Sequence, residues 1–308
     1  MSGMLAWPVL EAWRRRGRLA GVTATLTALC ALAVILTALS SGLWAGATSA
    51  IGGSSAQQFV FSANSLDSFA RSRLPLADAA RVARLPGVAA VGALGTLTTV
   101  MTLPHGTADV AVIGTLPGRP GAPTSVDSGR LPGPGTGTGT GTDSADANSA
   151  VVDGSLRADG VQIGSLLRTT AGGPALRVTG FVSGRQYELL PTVWTSLTAW
   201  QALTAAAQPE TRTTTPDAQV LTIRLSQNAQ PAAVQQEISS LLGATVVTVT
   251  RSQAMLAIPG AAAMRTTISE LIAAAPIVAT GVTALFSALY VTERRAELGR
   301  LRALGASA

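Results

Sequence analysis

The sequence predicts an α+β membrane protein in which two transmembrane helices flank one large extracytoplasmic domain. Three observations predict it: two long apolar runs without charge, an arginine cluster beside each run, and strand and helix patterns in the stretch between them. Of the 308 residues, 47% are hydrophobic and 12% are charged. A typical soluble domain carries about 25% charged residues. This imbalance indicates membrane segments.

The first predicted span is the run 19–39. No charged residue lies between Arg18 and Asp67, and a hydrocarbon core of about 30 Å needs about 20 apolar residues. A cleaved signal peptide is the alternative, because small residues at Trp44–Ala47 resemble a cleavage site. The apolar region of a signal peptide is only about 7–15 residues long, so the length favours an uncleaved anchor.

The second predicted span, 271–291, lies between Glu270 and Glu293 and contains Pro276 near its outer end. Membrane helices tolerate such a proline where neighbouring groups satisfy the freed carbonyl. The alternative is a buried helix of a soluble core. A charge-free run of this length that is followed by Glu-Arg-Arg favours the membrane.

The arginines set the predicted topology. Four cluster before the first span and four follow the second, whereas the long middle has almost balanced charge. By the positive-inside rule, both termini are cytoplasmic in a multi-pass protein of the cell membrane. A nucleic-acid-binding protein would instead collect its arginines on one face of a folded domain. The predicted segments are a cytoplasmic amphipathic N-terminus (1–18), span 1 (19–39), an extracytoplasmic domain (40–270), span 2 (271–291) and a cytoplasmic segment (292–308).

The extracytoplasmic domain contains two predicted strand–helix–strand units separated by a β-rich part. The first unit comprises a strand at Phe59–Phe61, a helix at 76–85 and extended chain at 88–103, followed by a turn at 104–106 and a return strand at 108–116. The second comprises strand 218–225, a helix opened by Pro231 and capped by Gly243, and strand 245–250. Two such units predict a split, ferredoxin-like layer. The β-rich part has strands near 150–152, 165–170, 176–182 and 193–194, then a short helix at 197–207.

Composition excludes most catalytic chemistry. All 22 basic residues are arginine, which removes a Walker lysine and a Schiff-base lysine. One cysteine (Cys30) and one histidine (His105, in a Pro-His-Gly turn) exclude multi-Cys and multi-His metal sites. The Gly-Thr tract 133–142 has no P-loop pattern and is predicted to be a flexible loop. We therefore expect no catalytic residue, no cofactor and no metal.

The segment Thr292–Ser307 is the most informative. As a helix it places Leu298, Leu301 and Leu304 along one side, with arginines on other faces and Gly305 as a C-cap. One interpretation is a helix on the membrane surface whose arginines meet anionic headgroups. The other is a docking helix for a cytoplasmic partner.

This segment carries a family resemblance. Residues 295–307 (RAELGRLRALGAS) closely resemble the R-x-E-[IL]-G-x-L-[KR]-A-[LI]-G-A-[ST] signature of FtsX/MacB-type ABC transporter permeases, which directly follows a membrane span in that family. Weaker matches are Leu85–Val88, at a helix-to-strand step early in the external domain, and Val161–Gly164, where its β-rich portion begins. Together the matches cover nearly the whole chain.

The resemblance implies a permease without ATPase activity of its own, with a MacB-like external domain. A separate cytoplasmic ABC ATPase would drive it, in a mechanotransmission mechanism of export or envelope transport, and it would pair with a second permease as a homodimer or heterodimer. The segment Ala296–Gly305 would dock the ATPase, through Glu297, Leu298, Gly299, Leu301, Arg302, Leu304 and Gly305.

Two features depart from the family pattern. Members usually carry two more spans after the signature, so the resemblance implies that this chain is the N-terminal half of a permease. Arg300 occupies a position that is often apolar in the family.

The alternative function is a two-span sensor or scaffold whose external domain binds a ligand or an envelope protein. A membrane-anchored hydrolase ranks last.

Overall fold

The computed structural model describes residues 16–66, 68–132, 147–211 and 217–303. The chain divides into two compact units, one formed by Leu43–Met264 and the other by the segments on either side of it. The helices are α1 (Arg16–Gly52), α2 (Ala77–Val82), α3 (Leu197–Ala207), α4 (Pro231–Leu242), α5 (Arg251–Leu256) and α6 (Ala261–Ala303). The strands are β1 (Gln58–Ser62), β2 (Leu74–Pro75), β3 (Val88–Leu103), β4 (Gly106–Thr115), β5 (Ser128–Gly129), β6 (Ser149–Asp153), β7 (Leu166–Thr169), β8 (Leu176–Val182), β9 (Thr192–Ser196), β10 (Asp217–Ala218), β11 (Val220–Leu225) and β12 (Val246–Thr250).

Two interleaved strand–helix–strand units form one part of the 43–264 unit. The sheet order there is β12–β1–β11–β3, and each neighbouring pair is antiparallel. The unit β1–α2–β3 therefore has a strand of the unit β11–α4–β12 between its own two strands, and the reverse also holds. This is the split, ferredoxin-like layer that the sequence predicts.

The β-rich part closes on itself. Strand β3 pairs with β4 on one side and with β7 on the other, and the pairing continues through β9, β6 and β8 back to β7. The six strands form a small barrel that shares β3 with the ferredoxin-like layer. Apolar side chains fill its interior, among them Met101, Val110, Val152, Leu167 and Val193.

Side chains along each strand point alternately to the two faces of the sheet. Each face packs against its own hydrophobic cluster. In β1, Val60 belongs to one hydrophobic cluster, whereas Phe59 and Phe61 belong to the other. The first cluster also contains buried residues of α3 and α4 and the barrel interior. The second, here called cluster 2, contains Ala50 and other residues of both ends of the 43–264 unit: Ile51, Ala254, Ile258 and Ala261.

Most predicted elements of this unit are confirmed. The strand at 176–182 and the helix at 197–207 have the predicted bounds, and α4 opens with Pro231 at its first turn. Gly243 ends α4 with a φ of 75°, a conformation that glycine adopts without steric cost. The stretch 88–103, predicted as one or two strands, is the single strand β3.

Two predictions on the chain next to the apolar runs need correction. The sequence predicts a glycine-rich connection over 47–58, but α1 continues to Gly52 because Ala50 and Ile51 become fully buried in cluster 2. Helix α5 is absent from the sequence prediction. It begins with a capping box in which Thr250 and Gln253 satisfy each other's backbone N–H groups.

The apolar runs lie within α1 and α6. Among the described residues, one helix is long and apolar enough to cross a membrane, over Cys30–Gly52 of α1, and the apolar stretch of α6 is the shorter Pro276–Leu285. Hydroxyl groups bond back to carbonyls one turn earlier, as from Thr37 to Ala33 and from Thr283 to Ala279. The predicted spans 19–39 and 271–291 therefore coincide with helix, and the presence of two membrane spans stays a prediction. The Gly-Thr tract lies outside the described residues.

Candidate functional site

The candidate site is the junction where the C-terminal end of α1 meets the segment 185–190. Three backbone hydrogen bonds join them: Ala50 N–H donates to the Gln186 carbonyl (2.9 Å), Glu188 N–H to the Ala47 carbonyl (3.0 Å) and Leu189 N–H to the Gly46 carbonyl (3.2 Å). The Ser49 hydroxyl also accepts a hydrogen bond from the Gln186 N–H at 2.9 Å. The helix is therefore fixed to the domain through its backbone as well as through apolar packing.

The turn 186–189 has an unusual backbone. Glu188 and Leu189 have φ values of 55° and 65°, in the left-handed region that favours glycine. Each such residue costs of the order of 1–3 kcal/mol and persists only where surrounding contacts hold it. Here the contacts with α1 hold one side of the turn.

The sheet holds the other side of the turn. The Tyr187 ring is buried and packs edge-on against Phe69, with 6.1 Å between the ring centroids. Phe69 packs edge-on against Phe61 of β1, with 5.0 Å between the centroids. Burial and the charge of Glu188 raise the pKa of Tyr187 far above its usual value, and the Thr96 side chain in β3 acts in the opposite direction. The phenol therefore stays neutral and links the turn to the sheet.

A second polar contact joins the turn to β3. The Thr98 hydroxyl donates to the Glu188 carboxylate at 3.3 Å. Partial burial raises the pKa of this carboxyl, and the hydrogen bond from Thr98 acts in the opposite direction. Because Thr96 and Thr98 are two residues apart on one strand, they lie on the same face of the sheet. The turn is thus held between α1 and one face of β3.

Two arginines neutralise the carbonyl end of α1. Arg185 donates to the Gly53 carbonyl at 2.7 Å, and Arg251 donates to the carbonyls of Gly52 (3.2 Å) and Ser54 (3.0 Å). Positive charge at this position complements the helix macrodipole and satisfies carbonyls that have no partner within the helix. Burial lowers the pKa of Arg185 from its ordinary value. These contacts stabilise the helix end within the domain.

The start of α6 is anchored in the same cluster. Ile258 and Ala261 are buried in cluster 2 together with Ile51 of α1. Arg251, at the start of α5, contributes its backbone N–H to the Gln57 carbonyl at 3.1 Å, next to β1. Both long helices therefore connect to the domain through one hydrophobic cluster.

Comparison with known proteins identifies the domain. The model of the MacB-like periplasmic core domain family matches residues 23–241. The chain belongs to this family. The resemblance to FtsX/MacB-type ABC transporter permeases is therefore confirmed, and a permease is the membrane component of such a transporter. The family match and the apolar helix α1 indicate a membrane-anchored chain with an extracytoplasmic domain.

Two solved structures are similar to this MacB-like chain. One is the periplasmic region of MacB from Actinobacillus actinomycetemcomitans, with 14% identity, coverage of 64% of this chain and 89% of that chain, and a TM-score of 0.44. The other is the extracellular domain of the noncanonic ABC-type transporter YknZ from Gram-positive bacteria, with 12% identity, coverage of 62% and 98%, and a TM-score of 0.42. A comparison with curated protein sequences gives no match.

The predicted docking residues of this MacB-like chain lie mostly in α6. The helical backbone extends through Thr292 to Ala303 and so includes five of them. They are Glu297, Leu298, Gly299, Leu301 and Arg302. Leu304 and Gly305 lie outside the described residues. The predicted helix over this segment is confirmed up to Ala303, and its docking role stays a prediction.

The remaining predicted features of the MacB-like domain are few. His105 is exposed in the turn between β3 and β4, as predicted. Its backbone N–H donates to the backbone carbonyl of Asp159 at 3.2 Å. In the described part of the chain, no group of three or more His, Cys, Asp or Glu side chains is placed to hold a metal ion. A cavity of about 240 Å³ lies beside Pro117, Pro123 and Pro132, with a mainly apolar lining.

The junction is the feature that sequence reasoning missed. Its polar residues are separated by more than 130 positions along the chain, as in the bond between Ser49 and Gln186. One signal of a packed segment was present in the sequence. Tyr187, a large aromatic residue, lies in a segment that has no strand or helix pattern. Nothing local in the sequence indicates that this segment contacts α1.

Proposed function

We propose that this MacB-like protein is the membrane subunit of an ABC transporter that uses ATP hydrolysis by a separate cytoplasmic ATPase to move its extracytoplasmic domain. The movement would serve export or transport within the cell envelope, in a complex with a second permease. The carrying observation is cluster 2, in which the C-terminal end of α1 and the first residue of α6 are both buried. A displacement of either helix would therefore act on the core of the domain.

The exposed apolar side chains support two membrane spans. Val34, Ile35 and Leu39 of α1 are more than half exposed, and so are Ile277, Val278 and Leu285 of α6. Transfer of such apolar side chains from water into lipid lowers the free energy. The core takes up the last turn of α1, from Ala47 onward, which leaves the run 19–39 for the bilayer.

The arginine clusters support cytoplasmic termini. They lie at the ends of 19–39 and 271–291 that are remote from the 43–264 unit in sequence, and basic residues favour the cytoplasmic side. In this arrangement the part of α6 from Thr292 to Ala303 lies in the cytoplasm, where an ATPase can reach it.

The route of coupling then follows from covalent and hydrogen-bonded contacts. The ATPase moves the segment 292–308, α6 carries the motion along its helix, and Ile258 and Ala261 transfer it to cluster 2. An α-helix is stiff where each peptide group is bonded one turn away, and Pro276 interrupts this bonding at one position of α6. The end of α1 shares that cluster, so the two helices act on the sheet together.

The docking segment provides the test. We expect Glu297→Arg and Gly299→Leu each to reduce co-purification of the ATPase at least tenfold, at matched expression in membranes. Glu297 gains nothing from an anionic bilayer but would pair with a cation of the partner, and Gly299 would allow close backbone approach. Leu301→Asp discriminates less well, since it would weaken both docking and attachment to a membrane surface.

Matched controls separate docking from damage to the protein. Gly281→Leu changes another glycine of α6, at which an added Cβ meets nothing within 4 Å. Glu237→Arg reverses the charge of an exposed residue on α4. Both controls should retain the ATPase. If Glu297→Arg and Gly299→Leu also retain it at the wild-type level, the docking role is wrong and the segment is a membrane-surface helix.

A further inference from the structure

We propose that the turn 186–189 is a two-position latch on α1. In the observed position, its backbone occupies hydrogen-bonding groups that belong to the last turns of the helix. In the second position, the turn leaves α1 and relaxes from its left-handed conformation. The use of this latch in transport rests on the proposed function, whereas the latch itself is a property of the 43–264 unit.

The first argument is the identity of the bonded groups. In a regular α-helix the Ala50 N–H donates to the Gly46 carbonyl, four residues earlier. Here both members of that pair have a partner in the turn: Ala50 N–H donates to the Gln186 carbonyl, and the Gly46 carbonyl accepts from Leu189 N–H. The turn therefore contacts α1 at the level of this backbone pair.

The second argument is the space at Gly46. An added Cβ there would lie 2.9 Å from Leu189 Cδ2 and 3.0 Å from Gln186 Oε1. Glycine therefore permits the turn to approach the helix backbone. One helical turn earlier, an added Cβ at Gly42 meets nothing within 4 Å. The close approach is specific to the level at which the turn is inserted.

The third argument is the opposition of two effects. The left-handed conformations of Glu188 and Leu189 favour release of the turn. The three backbone bonds and the Tyr187 contact with Phe69 favour the inserted position. The stability of the inserted position is therefore the difference between these two effects, and a force on α1 that weakens the contacts favours release.

The latch is also connected to the barrel. Thr192, the first residue of β9, donates its hydroxyl to the Arg185 carbonyl. The Trp194 indole N–H donates to Thr192 Oγ1 at 3.1 Å. Strand β9 pairs with β4 and β6 in the barrel. A change in the turn therefore reaches the barrel through one short connection.

Amide hydrogen exchange of the full chain in lipid nanodiscs tests the latch. Gly46→Leu should expel the turn, so that exchange in peptides covering 186–190 accelerates at least tenfold, while exchange in β6 and β8 stays at the wild-type rate. Gly42→Leu is the matched control and should leave all rates unchanged. Equal rates in wild type and Gly46→Leu would overturn the proposal, as would the same acceleration across the whole sheet.

A second variant acts in the opposite direction and creates no steric conflict. The pair Glu188→Asn with Leu189→Gly favours left-handed conformations at both positions, so it should hold the turn in the inserted position. We expect exchange in 47–51 and 186–190 to slow at least threefold. An unchanged rate would show that the turn has only one position. Because no ATPase is present, failure of the docking test does not affect this result.

Discussion

Two of the turns of the 43–264 unit that contain residues with positive φ differ in what holds them. In the turn between β3 and β4 the positive φ, 132°, belongs to Gly106, and an added Cβ would meet nothing within 4 Å. In the turn 186–189 the positive values belong to Glu188 and Leu189, between α1 and β3. In the exposed β3–β4 turn, which a backbone hydrogen bond from His105 joins to Asp159, the positive φ belongs to a residue that suits it. A turn held on two sides can impose its conformation on residues that disfavour it.

The largest effect is expected at the helix that holds the second turn. Ile51→Ala removes a fully buried side chain from cluster 2 and should lower the free energy of unfolding by about 2–5 kcal/mol. Urea denaturation of the full chain in detergent, followed by tryptophan fluorescence, measures this. Leu39→Ala, which shortens an α1 side chain that is 58% exposed, is the control. A loss equal to that of the control would mean that the end of α1 does not belong to the domain core.

A smaller effect is expected at the exposed turn between β3 and β4. Gly106→Ala places a side chain on a backbone with a φ of 132° and should lower the free energy of unfolding by about 1 kcal/mol. The cost stays small because an added Cβ at Gly106 meets nothing within 4 Å. The same denaturation experiment measures it, with Thr107→Ala as the neighbouring control. A loss as large as that of Ile51→Ala would remove the contrast between the two turns.

The smallest effect is a pH dependence at the held turn. Burial raises the pKa of Glu188 in the folded state, so the folded protein binds the proton more tightly than the unfolded chain. Its contribution to stability is therefore present below the unfolded pKa, about 4.3 for glutamate, and is lost as the pH rises through the folded pKa.

Glu188→Gln tests this sign. The amide carries no charge to desolvate, so the variant should melt at a higher temperature than wild type at pH 7, and the difference should shrink at pH 4. Melting curves at the two pH values provide the measurement. A variant that is less stable than wild type at pH 7 would show that the charged carboxylate stabilises the turn.

Local patterns were sufficient for most elements of the domain. Alternating apolar residues in 176–182 and the proline that opens α4 act over a few positions, so the sequence alone predicts the strand and the helix start. The two strand–helix–strand units also follow from the order of such patterns. The signature at 295–307 predicted the permease family, which the domain match at 23–241 confirms.

Other features depend on contacts between distant residues. Closure of the barrel rests on two pairs between β3 and β7, Met101 with Thr169 and Thr102 with Arg168, which no pattern within either strand specifies. The extension of α1 to Gly52 likewise follows from burial of Ala50 and Ile51, because a glycine-rich stretch has no strong helical preference of its own.

The sequence by itself determined the family and most elements of the domain, since short motifs and apolar patterns are local properties. Only the tertiary structure decided where α1 ends and how the turn 186–189 is bent. Glu188 and Leu189 disfavour left-handed backbone on their own. They adopt it because Gly46, Ala47 and Ala50 present hydrogen-bonding groups on one side and Thr96 and Thr98 contact Tyr187 and Glu188 on the other.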